Sequence, residues 1–350
     1  MTEVCYFEWR VKLPKKPIKD QKYFGNLKKF VIDAGLCSHC TTCTSVCPVY
    51  GITGGDKPID FPNWEKECID CGSCIRVCPR WEYQPKNGIG EYIEVLAAKS
   101  KRFKGQDGGM VTEILASAFE LGMIDRAVVV SRDDVWHPVT AQVRTAKQLG
   151  DGKITSSKYS FADVMVELRN ATYNTRKGVA VTATPCMISG LKRLEKEVAS
   201  YKQNVKLAIS LFCMENFYYH QLSELLARKG IEMKSIGKMH VTGNGLAVEV
   251  MEGEAGEYIR VVEIGEEEID EILPSGCRVC QDFAGVESDV SVGSEGSPEG
   301  FSTVIVRSEA AKKIMDHIRE KDYAEFTEVD LDAIERRCQY KVEKRPYRRG

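Results

Sequence analysis

The 350-residue sequence contains no apolar run near the roughly twenty residues needed to cross a bilayer, so no membrane insertion of its own is expected. Its first stretch, MTEVCYFEWRVKLPKKP, lacks the apolar core of a secretory leader, and a cytoplasmic location is expected. The formal net charge is only −2, so no bulk field draws the chain to nucleic acid or a membrane surface. There is no Gly-x-Gly-x-x-Gly, which leaves a Rossmann-type nicotinamide site without support. The C-x3-C-x2-C spacing of a radical enzyme is absent, as is any low-complexity tract.

What the chain does have is cysteine, fourteen in all. A reducing compartment keeps thiols free, so clustered cysteines there read as metal ligands or redox groups. Cys37, Cys40, Cys43 and Cys47 follow C-x2-C-x2-C-x3-C-P, closed by Pro48, and Cys68, Cys71, Cys74 and Cys78 repeat it, closed by Pro79. This is the spacing of two-cluster bacterial ferredoxins, in which the fourth cysteine of each run ligates the other cluster. Cys37, Cys40, Cys43 and Cys78 are therefore expected to hold one 4Fe–4S cluster, and Cys68, Cys71, Cys74 and Cys47 the other. Small and polar residues between them (Ser38, Thr41, Thr42, Gly72, Ser73) leave backbone amides for the sulfurs, which tunes potential. His39, between ligands, is a candidate for tuning the first cluster. The competing reading, zinc, usually needs two C-x2-C pairs rather than two identical four-cysteine runs with prolines.

After Pro79 comes a polar bridge, RWEYQPKNGIGEY, and a boundary is expected near residue 90. Beyond it helical stretches alternate with short β-branched runs: RAVVVSR, GVAVTATPC and VKLAISLFC read as strands, FADVMVELRNAT and ENFYYHQLSELLARKG as helices. That alternation predicts a mixed α/β domain with a partly parallel sheet. GLAVEVME and YIRVVEIG read as paired strands. The acidic run from Glu266 to Glu271 reads as a solvated helix face. The end, RRCQYKVEKRPYRRG, reads as a solvated basic tail, the alternative being a docking arm for an acidic partner. The expected division is 1–90, 91–325 and a tail at 326–350.

Four further cysteines have a pattern. Cys186 and Cys213 end strands, and Cys277 and Cys280 form C-x2-C. Strand ends in α/β folds gather at one sheet edge, so the four suit a third 4Fe–4S cluster, a structural zinc, or plain buried thiols. Cys5 and Cys338 have no pattern and read as structural thiols. KGQDGGMVTEIL places Gly108 and Gly109 before a helix, a start that offers free amides to a phosphate but is more often only a turn. SSKYSF adds Ser157, Lys158 and Tyr159.

KGQDGGMVTEIL, SSKYS, TPCMISGL, LFCMENF, CRVCQDFAG and DVSVGSEGSPEGFSTVIVR, in this order over residues 95–308, resemble the coenzyme F-420 hydrogenase/dehydrogenase beta-subunit family. With a ferredoxin unit in front, the layout is similar to the electron-input subunit of archaeal F-420H2 dehydrogenase. The resemblance implies a bacterial-type two-cluster ferredoxin domain followed by a mixed α/β domain that binds FAD. It implies FAD neighbours at Gln106, Gly108, Gly109, Thr112, Ser157, Lys158 and Tyr159, and a cluster on Cys186, Cys213, Cys277 and Cys280. The activity implied is oxidation of reduced coenzyme F-420 by hydride transfer to FAD, with single electrons passed through the clusters to a membrane respiratory complex or soluble ferredoxin. Any attachment to the inner face of the membrane then runs through partner subunits. A basic patch flanking the flavin pocket is expected for the anionic coenzyme. The other readings are a beta subunit serving an F-420-linked hydrogenase, formate dehydrogenase or sulfite reductase, and a flavin-free, ferredoxin-like carrier. Hydride transfer needs aligned rings rather than an acid or base, so no catalytic side chain is nominated.

Overall fold

In a computed structural model of the chain, residues 15–242, 245–252 and 258–347 are described; Cys5 lies outside them. Eleven strands form two sheets among these residues. Strands β1 (Glu94–Ser100), β2 (Arg126–Arg132), β3 (Pro138–Val143), β4 (Val179–Ala183) and β5 (Val205–Leu211) belong to the larger sheet. Strands β6 (Ile236–Val241), β7 (Gly245–Glu252) and β8 (Tyr258–Gly265) make the smaller one, and β9 (Val290–Gly293), β10 (Ser302–Val306) and β11 (Ala324–Thr327) return to the first. The large-sheet order is β11-β1-β10-β9-β5-β4-β2-β3. Its centre, β9-β5-β4-β2, is parallel, and its flanks are antiparallel.

Helices cover both faces of that parallel centre, which is why its strands read as near-continuous apolar runs. Successive side chains alternate between two cores, as the two-residue strand period requires. Ala127 and Val129 of β2 join Ala180, Leu207 and Ile209 under the helices Met110–Glu120 and Glu309–Glu320. Val128 joins Val181 and Ala208 under Val164–Asn174 and Pro185–Glu197. Each larger side chain of these cores, fully buried, contributes about 1.5–3 kcal/mol. The smaller sheet is the expected β7–β8 pair with β6 added, covered by Tyr219–Arg228 and Glu266–Ile272.

The cysteine-rich segment folds as short helices and turns around Phe24, Leu27, Ile59, Phe61, Ile75 and its own thiols. It packs on the α/β part: Cys40 and Val77 share a core with Met187 and Ile188. At Gly276 a side chain would stand 1.9 Å from the Cys37 carbonyl oxygen, so only glycine permits this approach.

The stretch read as a basic tail is not one. Leu331–Lys344 is a helix, capped at its start by Asp330, whose carboxylate accepts from Ala333 N. Ile334, Cys338 and Lys341 fall on one face and are buried, and the arginines that gave the tail reading, Arg336 and Arg337, fall elsewhere. The acidic run is likewise less solvated than expected. Glu266 accepts a 2.5 Å hydrogen bond from Tyr340, and Arg345, itself buried, pairs with Asp270 at 3.2 Å.

Candidate metal centres and cofactor pocket

The two cysteine runs, offset by 31 residues, have one conformation. His39 and Asp70 occupy the left-handed region, as do Thr41 and Gly72, and short helices follow at Thr42–Val46 and Ser73–Arg76. The left-handed turn swings an amide back onto a sulfur: Asp70 N donates to Cys68 Sγ at 3.4 Å, and His39 N serves Cys37 in the same way. Thr42 Oγ1 lies 3.1 Å from Cys40 Sγ, and its counterpart Ser73 Oγ accepts from Cys71 Sγ at 3.5 Å. The small residues between ligands therefore serve the sulfurs through hydroxyls as well as backbone.

The fourth cysteine of each run crosses to the other. One pocket is lined by Cys37, Cys40, Cys43 and Cys78. A second is lined by Cys47, Cys68, Cys71 and Cys74. Among the described residues no three His, Cys, Asp or Glu side chains converge on a single metal ion. A cubane spreads its ligands further apart, because four irons lie between them. Two pockets, each lined by thiols of both runs, suit the crossed ligation of a dicluster ferredoxin.

The structure also brings Cys186, Cys213, Cys277 and Cys280 together; Cys213 feels the charge of the other three. Pro185 starts a helix directly after β4 and sets Cys186 in its first turn. Cys213 stands two residues past β5, and its amide donates to Phe283 O at 3.0 Å, tying in the loop that carries Cys277 and Cys280. This set abuts the first: Cys186 Sγ lies 3.8 Å from Ser38 O and feels Cys40. Cys43, of the first set, feels Cys74 of the second. The three sets thus form a row. Burial pushes the Cys186 thiol up to about 12 and Cys277 up to about 11, so metal binding here must expel protons. Cys338 is elsewhere, packed with Phe283, Ile305 and Ile334.

Two buried cations that sequence reasoning passes over stand in this row. Arg80 is 3% exposed, its guanidinium 4.0 Å from the Tyr83 ring, and its Nη1 has no hydrogen-bond partner among the described residues. It lines the first thiol cavity and also an open groove that reaches Cys186 and Cys280. Lys341, 1% exposed, donates to the carbonyls of Cys213 and Asp282, the latter at 2.9 Å. Burial raises the Cys280 thiol, but Lys341 and Arg80 outweigh it and hold it below its ordinary value. Burial, with Arg80 nearby, lowers His39 to about 4, so that imidazole stays neutral. Tyr218 Oη lies 2.7 Å from His39 Nε2. His39 stands between Arg80 and Tyr218 at the junction of the first and third sets.

The expected flavin neighbours fall into two kinds. Gln106, Ser157 and Tyr159 meet: Gln106 accepts from Ser157 N at 2.8 Å and donates to Met239 O at 2.9 Å, and Tyr159 Oη accepts from Val241 N at 3.1 Å. Gly108 and Gly109 are needed by the backbone itself. A side chain on Gly108 would strike Ala98 O at 2.4 Å, and Gly109 begins its helix at φ +70°. Thr112 is buried on that helix. Lys158 is 7% exposed, donates only to Ile154 O at 2.8 Å, and is lowered to about 7 by burial and by Arg132. Ser156 Oγ, Ser160 Oγ and Arg132 Nε are buried without hydrogen-bond partners among the described residues. Two close cations and orphaned hydroxyls suit an anionic group such as a dinucleotide pyrophosphate.

The fold and these sites define a ferredoxin-like dicluster unit joined to a mixed α/β unit. Sequence profiles agree on both. Residues 29–79 match a 4Fe-4S dicluster domain. Residues 95–168 and 176–332 match the N-terminal and C-terminal parts of the coenzyme F420 hydrogenase/dehydrogenase beta subunit, and the chain belongs to that family. The coenzyme F420-dependent sulfite reductase of Methanocaldococcus jannaschii is 35% identical over 90% of this chain, which spans 50% of that protein's length. A subunit of the F(420)H(2) dehydrogenase of Methanosarcina mazei is 28% identical over 83% of this chain and 84% of its own. A chain of the F420-reducing NiFe hydrogenase complex from Methanosarcina barkeri superposes with a TM-score of 0.68 at 25% identity, covering 75% of this chain and 92% of that one. Among the described residues no helix is long and apolar enough to cross a membrane.

Proposed function

We propose that the chain oxidises reduced coenzyme F-420 and sends the electrons out singly through three 4Fe–4S clusters. Residues 1–90 carry two clusters, and the α/β domain from residue 91 carries FAD and the third. The bound FAD and clusters supply the redox chemistry, a hydride pair in and single electrons out. The protein's part is to hold them in sequence and dry. Cys37, Cys40, Cys43 and Cys78 hold one cluster, Cys47, Cys68, Cys71 and Cys74 another, and Cys186, Cys213, Cys277 and Cys280 the third. Gln106, Ser157 and Tyr159 tie the glycine turn to β6 and would border the flavin, and Lys158 with Arg132 would face its phosphates.

The observation that carries this reading is the row of thiol sets, with the third abutting the first and the first abutting the second. In that order the second set is outermost, flanked by Val49 and Ile69, which are 38% and 62% exposed. Electrons entering at the sheet leave over that surface. The likeness to the sulfite reductase favours a second reading of the acceptor, a sulfite-reducing partner in place of a membrane complex or ferredoxin. Anaerobic purification with iron and flavin analysis tests the cofactor set. The account expects FAD and about twelve irons per chain, four for each cluster. About eight irons without flavin would leave only a ferredoxin-like carrier.

A further inference from the structure

A buried guanidinium with no acceptor is costly unless an anion faces it. Arg80 Nη1 is buried without a hydrogen-bond partner among the described residues. Lys341 is equally enclosed, and both its acceptors are backbone carbonyls. The carboxylate nearby, Asp282, does not pair with either by hydrogen bond. Its Oδ1 accepts from Gly285 N at 2.7 Å and from Val286 N at 3.4 Å. Two cations are therefore held where four thiolates and an iron–sulfur core would bring net negative charge.

The two ferredoxin sites share ligand spacing and backbone conformation but differ in where their cations stand. Arg80 lines the first. No charged side chain lines the second; its cations, Lys22 and Arg76, reach the carbonyls of Cys68 at 2.6 Å and Cys71 at 3.1 Å, and Arg76 is already paired with Glu197. A fixed positive charge favours the reduced, more negative form of a cluster.

We propose that Arg80 and Lys341 are built-in counter-cations that grade the row of clusters. Arg80, at the junction, raises the reduction potential of both the Cys186–Cys213–Cys277–Cys280 cluster and the Cys37–Cys40–Cys43–Cys78 cluster. Lys341 raises that of the former alone, and neither cation lines the outer Cys47–Cys68–Cys71–Cys74 site. An arginine does not deprotonate in this range, so its contribution is a standing charge rather than a pH switch. The inference rests on the cluster assignments above.

The test is an EPR-monitored redox titration of the holoprotein, full chain, with iron content measured first. Arg80→Gln is expected to lower two of three midpoints, each by at least a tenfold change in the reduction equilibrium, about 59 mV for one electron. Lys341→Gln is expected to lower one of those two only. The third midpoint stays in both variants, and Arg80→Lys stays near the parent. Full iron content with no midpoint moved, or with all three moved together, overturns the proposal. If Arg80→Gln loses iron, retention in Arg80→Lys supports the counter-cation role, and loss in both overturns it. About eight irons in the unmodified chain overturns the third-cluster assignment itself, a separate failure seen before any potential is measured.

Discussion

At the scale of single residues the account turns on thiols and on a lysine. Cys186 joins the third set to the first. Cys186→Ser is expected to lower iron from about twelve to about eight per chain, one cluster's worth, while FAD stays bound; loss of flavin as well would mean the residue holds the fold. Lys158, lowered to about 7 in the flavin-free protein, gives a pH signature. A bound phosphate favours its charged form, so above pH 7 binding must take up a proton. FAD affinity is then expected to fall with rising pH, by up to about tenfold per unit for one proton. Lys158→Met should weaken FAD and flatten that slope in a fluorescence titration; an unchanged slope would remove the lysine from the site.

At the scale of elements, legibility followed chemistry. The ligand runs were readable because cysteine spacing is dictated by the cluster, and the 31-residue offset recurs in the backbone at His39 and Asp70. The strands Val179–Ala183 and Val205–Leu211, just before Cys186 and Cys213, were readable because a sheet buried on both faces needs apolar runs. The helix Leu331–Lys344 was not. Its buried face is Ile334, Cys338 and Lys341, too short and too polar to stand out among arginines, and Lys341 is inside because backbone carbonyls receive it. Arg80 was missed because nothing in the letters after a Cys-Pro distinguishes a buried arginine from a surface one. The helix is structural: Ile334→Ala is expected to destabilise by about 2–5 kcal/mol, the usual range for truncating a buried isoleucine, measured as a lower unfolding midpoint. A change under about 0.5 kcal/mol, typical of a surface position, would return this segment to the status of a tail.

At the scale of the molecule, function depends on the ferredoxin unit being docked and not merely tethered. Cys40 and Val77 share a core with the Pro185–Glu197 helix, and Gly276 touches the Cys37 carbonyl. Gly276→Val is expected to pry that junction apart, leaving flavin reduction by the coenzyme intact and slowing electron exit at least tenfold. If both steps survive unchanged, transfer does not run through the junction. The central claim, hydride in and single electrons out within one chain, is tested most directly by adding reduced coenzyme F-420 to the anaerobic holoprotein with a one-electron viologen dye. The account predicts dye reduction at two equivalents per coenzyme oxidised, abolished when FAD is removed and restored when it is returned. A flavin-loaded, fully iron-replete protein that leaves the dye oxidised would contradict it.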